Sequence, residues 1–122
     1  MTTAILEKPI IKNFDAADES NDFGKAQINV VRVEDKVFSR LTFQPGFSCT
    51  SMLKPEEKAS GYCETAHLGF LASGQMRLKM KDGSEYSISA GSIVDIPPGH
   101  DGWVVGTEPA VVIDLTGKAP GS

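Results

Sequence analysis

Histidine, cysteine and tryptophan are scarce in this chain, which has two, two and one of them among 122 residues. No apolar run approaches the roughly 20 residues that a membrane-spanning helix needs, and the start "MTTAILEKPI" lacks the basic and apolar regions of a secretory signal. The net charge is −4 and lysine and arginine form no cluster, whereas nucleic-acid binding depends on basic side chains that neutralise phosphates. We therefore predict a cytoplasmic protein with no membrane and no nucleic acid as partner.

The chain is long enough to fold as one domain without a covalent or metal crosslink. A domain of this size buries roughly 65 to 70% of the surface that its unfolded chain exposes. Hydrophobic residues make up 40% and charged residues 23%, which is typical of soluble globular proteins. Because nothing in the sequence indicates export, Cys49 and Cys63 are predicted to be free thiols rather than a disulfide.

From Gln27 onward, short β-rich segments follow one another at close spacing, separated by turn residues. We divide the chain into an irregular acidic N-terminal arm (1–24), a β-barrel domain (25–117) and a disordered tail (118–122). No segment has helical periodicity over more than two turns. The predicted strands cover residues 27–33, 36–43, 47–54, 67–73, 75–81, 84–88, 92–96 and 110–115.

The segment "QMRLKMK" (75–81) has the clearest strand pattern. Its hydrophobic residues alternate strictly with basic residues, so one face of the strand is predicted to be buried and the other wet. Asp82-Gly83 follows and predicts a hairpin with a two-residue type I′ turn. Eight or nine such strands must hide their edges, which favours an all-β domain closed into a small antiparallel β-barrel or jelly roll. Its interior is wide enough for one small organic molecule.

The stretch "GSIVDIPPGHDGWVVGTEP" (91–109) resembles the second motif of the cupin superfamily. Gly91, Pro97 and Gly99 fall at the motif's glycine, proline and glycine positions. Gly74 matches the final glycine of the first motif. The resemblance extends over residues 36–116 and is greatest to small single-domain bacterial cupins. It implies a cupin-type β-barrel that pairs into a homodimer.

The resemblance also indicates where a metal ion would bind. Metal-binding cupins carry three histidines and a glutamate at four positions, at which this chain has Gly61, Cys63, His67 and Gly102. His100 lies two residues before the last of these, so on an extended segment its side chain would still point into the barrel.

We therefore predict Cys63, His67 and His100 as ligands of a divalent metal, with Zn, Fe, Mn or Ni as candidates and a fourth position open to water or substrate. Residues four apart on a straight strand are roughly 13 Å apart. Cys63 and His67 can share an ion only if residues 64–66 form a turn, which the cupin resemblance implies.

Several alternatives remain open at this point. His100 could cap the turn that follows Pro-Pro-Gly, and Cys63 could be a small buried hydrophobe. A nucleophilic dyad of Cys63 and His67 lacks an evident orienting group. Trp103 has the opposite side-chain parity to His100 and is predicted to face away from the cavity.

The function predicted from the sequence is binding of a divalent metal and a small organic molecule inside the barrel. The protein would act either as a binding protein or as a metal-dependent enzyme, and no residue can be assigned a catalytic role. The first alternative is a metal-free module that binds or senses a ligand. The second is a dimeric interaction protein without catalysis that uses an edge strand and the Trp103 surface.

Overall fold

Antiparallel strands dominate the computed structural model of the chain, which describes residues 7–118. Three short 3-10 turns, at Phe14–Ala16, Cys49–Met52 and Pro55–Glu57, are the helical elements of this part of the chain. None of its helices has the length and apolar content that crossing a bilayer requires. The strands within residues 7–118 are β1 Glu19–Asp22, β2 Ala26–Val33, β3 Lys36–Phe43, β4 His67–Ser73, β5 Gln75–Met80, β6 Glu85–Ser89, β7 Ile93–Ile96, β8 His100–Val104 and β9 Ala110–Asp114.

The strands form two sheets that face each other as a small cupin-type jelly-roll barrel, as predicted. One sheet has six strands in the order β1-β2-β3-β9-β4-β7, and the other has three in the order β6-β5-β8. Each neighbouring pair is antiparallel. The core lies between the sheets and consists of Ala26, Phe47, Leu71, Met76, Val104 and Ala110, with Phe43, Cys49, Ile88 and Val112 packed against them.

Strand β5 has one face inside the barrel and the other outside, as its alternating pattern predicted. Met76 is buried and packs in the core, and Leu78 lines the cavity inside the barrel. Arg77, between them, donates to Ser87 Oγ across the outer face of β5 and β6 at 2.7 Å. The period of two therefore identifies which face of β5 is inside.

Gly74, between β4 and β5, occupies a position that only glycine can fill without distortion. Its φ is +83°, and a Cβ there would lie 2.7 Å from the Cα of Ala110. Real Cβ contacts do not become so short, so the close approach of this turn to β9 requires glycine.

The predicted strand 47–54 is wrong, because the chain turns at Cys49–Met52 into a 3-10 turn. Local hydrogen bonds compete with the strand there: the Ser51 hydroxyl donates to Ser48 O, and Thr50 N donates to the Asp101 carboxylate at 3.1 Å. Serine and threonine favour such local bonds over a sheet ladder.

The predicted two-residue type I′ turn at Asp82-Gly83 is also wrong. Gly83 has φ +89°, but Asp82 does not have the positive φ that a type I′ turn needs. Gly83 N instead donates to Met80 O at 3.0 Å, and Met80 N donates to Ser84 O at 2.9 Å. The hairpin therefore has a three-residue loop with glycine at the left-handed position.

Two strands were not predicted from the sequence. Strand β1 is wholly exposed and polar, and it pairs with β2 from Glu19↔Val30 to Asp22↔Gln27, so the predicted irregular arm contains a strand at its end. Strand β8, His100–Val104, contains the weak strand formers aspartate and glycine. It forms because β5 pairs with it along its whole length. Residues 1–6 of the predicted arm and 119–122 of the predicted tail lie outside the described residues.

Candidate metal centre

His100 begins β8 directly after the Pro97-Pro98-Gly99 turn, and its side chain is buried, with 1% of its surface exposed. Its Nδ1 lies 2.8 Å from Pro97 O. Because a carbonyl oxygen only accepts hydrogen bonds, Nδ1 carries a proton, and in the neutral ring the lone pair is on Nε2. Nε2 is buried and has no hydrogen-bond partner. A buried polar atom without a partner is costly, so this lone pair needs a ligand.

The backbone of Cys63 is held beside His100 by an isolated antiparallel bridge. Cys63 N donates to His100 O at 2.8 Å, and Cys63 O accepts from Gly99 N at 2.8 Å and from His100 N at 3.1 Å. Gly99 has φ +89°, a left-handed conformation that glycine adopts readily. The turn before β8 therefore positions both the imidazole of His100 and the backbone of Cys63.

The chain bends at residues 64–66 and returns as β4, which begins at His67. Cys63 Sγ lies 3.6 Å from His67 Nε2, and the ring centroids of His67 and His100 are 5.1 Å apart at 71°. Residues 64–66 therefore form the turn that was predicted to be necessary if Cys63 and His67 are to share an ion. The structure thus brings together all three residues that the sequence analysis selected.

One ligand atom from each of Cys63, His67 and His100 lies within 4.8 Å of the others, so the three residues are positioned to hold a metal ion. In a tetrahedral zinc site with typical bond lengths, a sulfur and a nitrogen ligand are about 3.6 Å apart. The distance between Cys63 Sγ and His67 Nε2 matches this value. His67 is exposed and Cys63 is half-buried, so the cluster can be reached from solvent on the side away from His100.

The loop that carries Cys63 is anchored by Glu57, a residue that was not among the sites predicted from the sequence. Its side chain is buried, with 4% of its surface exposed. The carboxylate accepts from Glu64 N and from Lys54 N, the latter at 3.0 Å. These bonds, the one from Glu64 N first, lower the pKa of Glu57. The available signal was proline followed two residues later by glutamate, typical of the first turn of a helix.

A cavity of about 140 Å³ lies inside the barrel and is lined by both imidazoles. Most of its wall is hydrophobic and comes from both sheets. Its hydrophobic lining residues include Leu41, Phe43, Leu71, Met76, Val94 and Val112. A ligand in this cavity would contact hydrocarbon on most sides and the histidines at one end.

The second cysteine, Cys49, also lines the cavity but is not part of the ligand cluster. Its sulfur and Arg77 O each lie 3.5 Å from the point where a Cβ on Gly102 would stand. Burial raises the pKa of Cys49 to about 12. Both cysteines are free, as predicted. Gly102 therefore packs against Cys49.

The other residues that the sequence analysis considered lie outside the cluster. In β8, His100, Gly102 and Val104 are buried and face the interior, so Asp101 and Trp103 point to the other side, as predicted for Trp103. Asp101 accepts from Thr50 N and holds the Cys49–Met52 turn against β8.

No protein-family model matches the chain, and no curated protein is significantly similar to it. Among solved structures, 94 chains match. Ectoine synthase from P. lautus has a TM-score of 0.62 at 11% identity, over 89% of this chain and 81% of that one. A protein of unknown function from Rhizobium leguminosarum bv. viciae has a TM-score of 0.58 at 16% identity, over 87% and 93%.

KdgF from Halomonas sp. has a TM-score of 0.54 at 18% identity, over 79% of this chain and 83% of that one. Ectoine synthase and KdgF have cupin-like folds. At these identities the similarity establishes the fold and transfers no activity to this chain. The chain therefore has a cupin-type barrel whose interior carries a candidate metal centre of one cysteine and two histidines.

Proposed function

We propose that the protein is a small single-domain cupin that binds a divalent metal ion through Cys63, His67 and His100, next to a cavity that takes a small organic molecule. One observation carries the proposal: His100 Nε2 is buried without a partner, while Nδ1 is fixed as a donor to Pro97 O. A histidine that ligates a metal typically donates its other ring N–H to a carbonyl or carboxylate in this way.

The donor set favours Zn²⁺ among the candidate ions. A thiolate and two imidazoles suit borderline-soft ions such as Zn²⁺, and also Fe²⁺ and Ni²⁺, better than Mn²⁺, which prefers oxygen ligands. Three protein ligands leave a fourth position for water or substrate, which is the pattern of catalytic rather than structural zinc sites. When bound, such an ion polarises a carbonyl or lowers the pKa of its water. The protein would then be a metal-dependent enzyme acting on the molecule in the cavity.

The backbone around the three proposed ligands positions each of them in a different way. Pro97 O sets the tautomer of His100, and the backbone bridge between His100 and Cys63 fixes the position of the thiol. The bend after Cys63 brings the imidazole of His67 next to that thiol. The hydrophobic wall keeps bulk water from most of the bound molecule.

Metal binding is tested on protein purified without a histidine tag and supplied in turn with Zn²⁺, Fe²⁺, Mn²⁺ and Ni²⁺. We expect about one Zn²⁺ per chain, and less than about 0.1 ion of any metal per chain would refute the proposal. His100→Gln should weaken Zn²⁺ binding by at least about 100-fold, since a lost ligand costs more than a lost outer-shell partner. Trp103→Phe, on the same strand but facing away, is the matched control.

A second candidate function is metal-free nucleophilic chemistry by Cys63, with His67 as its base. The specific observation in its favour is the distance of 3.6 Å between Cys63 Sγ and His67 Nε2. It predicts that chelation leaves activity unchanged and that an electrophilic ligand of the cavity labels Cys63. Under the metal proposal, bound Zn²⁺ protects Cys63 from the same label.

Cytoplasmic location and pairing into a homodimer stay predictions from the sequence. Sedimentation equilibrium tests the second directly. If the protein is instead a dimeric interaction module, Trp103→Ala should shift the oligomeric state and leave Zn²⁺ affinity unchanged.

A further inference from the structure

The cavity beside the two imidazoles offers very few polar groups, and this limits what it can hold. Arg77 contributes to the lining, but its guanidinium is turned to the outer face of the sheet. There it donates to Ser87 Oγ at 2.7 Å and lies 3.5 Å from the Glu85 carboxylate. Met76 and Leu78, the neighbours that face inward, are hydrophobic. The cavity therefore lacks the cation that the sequence of β5 could have supplied.

Two further polar residues line the cavity. Oδ1 of Asp114 accepts from Thr116 N at 2.7 Å and from the Thr116 hydroxyl, which leaves Oδ2 as the carboxylate oxygen that a polar group of a ligand could reach. Burial keeps Cys49 protonated by raising its pKa to about 12, and a thiol is a weak donor. A ligand with several hydroxyl, ammonium or phosphate groups would leave most of them without partners, at a cost of about 1–3 kcal/mol each.

The size of the cavity sets a second limit. An engineered cavity of about 150 Å³ lined by aliphatic and aromatic side chains stays dry and binds benzene. The volume here, about 140 Å³, and the composition of the wall are close to that case. The difference lies at one end, where His67 contributes its ring and His100 its unpaired Nε2.

We infer that the molecule bound in this cavity is compact and hydrocarbon-bodied, with about six to nine non-hydrogen atoms and a single oxygen donor placed at the histidine end. This inference rests on the proposed function, since the oxygen occupies the open metal position, but the hydrocarbon body is dictated by the wall alone. Sugars and phosphate esters do not meet this description, because most of their polar groups would lack partners in the cavity.

The test compares the binding of toluene, benzyl alcohol and xylitol to the protein with and without Zn²⁺. Binding is measured from the shifts of methyl signals in NMR spectra of the protein. We expect saturable shifts with toluene in both states, because the body needs no metal. Benzyl alcohol, which adds one hydroxyl to the same ring, should gain at least about tenfold in affinity when Zn²⁺ is bound. Xylitol should cause no saturable shift.

Val94→Phe fills the cavity and should weaken toluene binding by at least about tenfold. Ile93→Phe is the matched control: it introduces the same side chain at the adjacent residue of β7, which is 62% exposed and points outward, and it should leave binding unchanged. If Val94→Phe does not fold, Val112→Leu adds a single methylene to the same cavity and should weaken toluene binding in the same direction.

The outcomes separate the two proposals. Zn²⁺ binding together with saturable xylitol binding and no toluene binding would overturn the inferred ligand class and leave the metal centre intact. Toluene binding without any metal binding would overturn the proposed function and support the hydrocarbon-bodied ligand. An equal effect of Val94→Phe and Ile93→Phe would place the toluene elsewhere and refute the inference.

Discussion

Cys49 and Cys63 lie beside the same strand, β8, but in opposite chemical surroundings. Cys49 sits in a 3-10 turn and packs on Gly102, where burial raises its pKa to about 12. Cys63 is bridged to the backbone of His100, two residues along the strand, and its sulfur lies 3.6 Å from His67 Nε2. The two thiols thus differ in role with their position along β8: Cys49 packs against the core, and Cys63 is positioned to hold a metal ion.

Alkylation should separate the two thiols most strongly. At pH 8 about one in 10⁴ Cys49 side chains is ionised, against about one in ten for a thiol with the ordinary pKa of 9.0. In the metal-free protein, Cys49 should therefore react with iodoacetamide roughly a thousandfold more slowly than an ordinary thiol, and Cys63 should be the modified residue. Peptide mass spectrometry after brief labelling reads both sites. Equal labelling in folded protein would contradict the contrast, and labelling of both in urea is the control.

Metal affinity is the second way to separate them. Cys63→Ser should weaken Zn²⁺ binding by at least about 100-fold, because it removes a proposed ligand. Cys49→Ser makes the same chemical change outside the cluster and should alter affinity by less than about threefold. Competition against a chromophoric chelator measures both. A similar loss in the two variants would mean that the cluster does not hold the ion.

The contrast between the cysteines also shows what could be predicted from the sequence. The strict alternation of β5 and the cupin-like spacing of Gly74, Gly91 and Pro97 were sufficient for the barrel. Side-chain parity on an extended segment was sufficient to predict that the His100 side chain points into the barrel. These features are local and periodic, so a single sequence reveals them.

Other features depend on contacts between distant residues and could not be predicted. The Cys49–Met52 turn depends on the carboxylate of Asp101, and β8 depends on pairing with β5. The spacing of Pro55 and Glu57 signals a helical turn, but the hydrogen bond from Glu64 N, seven residues away, leaves no such signal. Side chains that satisfy a distant backbone group leave no periodic pattern in the sequence.

For stability, we expect the substitution of Cys49 to have the larger effect, which is the reverse of the order expected for Zn²⁺ affinity. Cys49→Ser places a hydroxyl against the hydrophobic core and should lower the free energy of unfolding by about 1–3 kcal/mol. Cys63→Ser, at a site that does not pack against the core cluster, should lower it by less than about 1 kcal/mol. Urea unfolding of the metal-free proteins measures both changes. A larger loss for Cys63→Ser would show that the surroundings of the two thiols have been assigned the wrong way round.

The smallest effect concerns the carboxylates that anchor the two cysteine-bearing segments, both of which lie along the edge of β8 opposite β5. Glu57 holds the loop of Cys63 and Asp101 holds the turn of Cys49. Glu57→Gln should weaken Zn²⁺ binding by about tenfold, as loss of an outer-shell partner does. Asp101→Asn should change it by less than about threefold.

Acid provides an independent measure of the Glu57 anchor. Hydrogen bonds from Glu64 N and Lys54 N lower the pKa of Glu57 in the folded state below its ordinary value of 4.5. Its stabilising contribution is therefore complete above about pH 4.5 and is lost as the pH falls through the lowered value. Unfolding free energies of wild type and Glu57→Gln, measured from pH 6 to pH 3, should converge toward the acid end. If the difference stayed constant across that range, the carboxylate would not be the ionised anchor of the Cys63 loop.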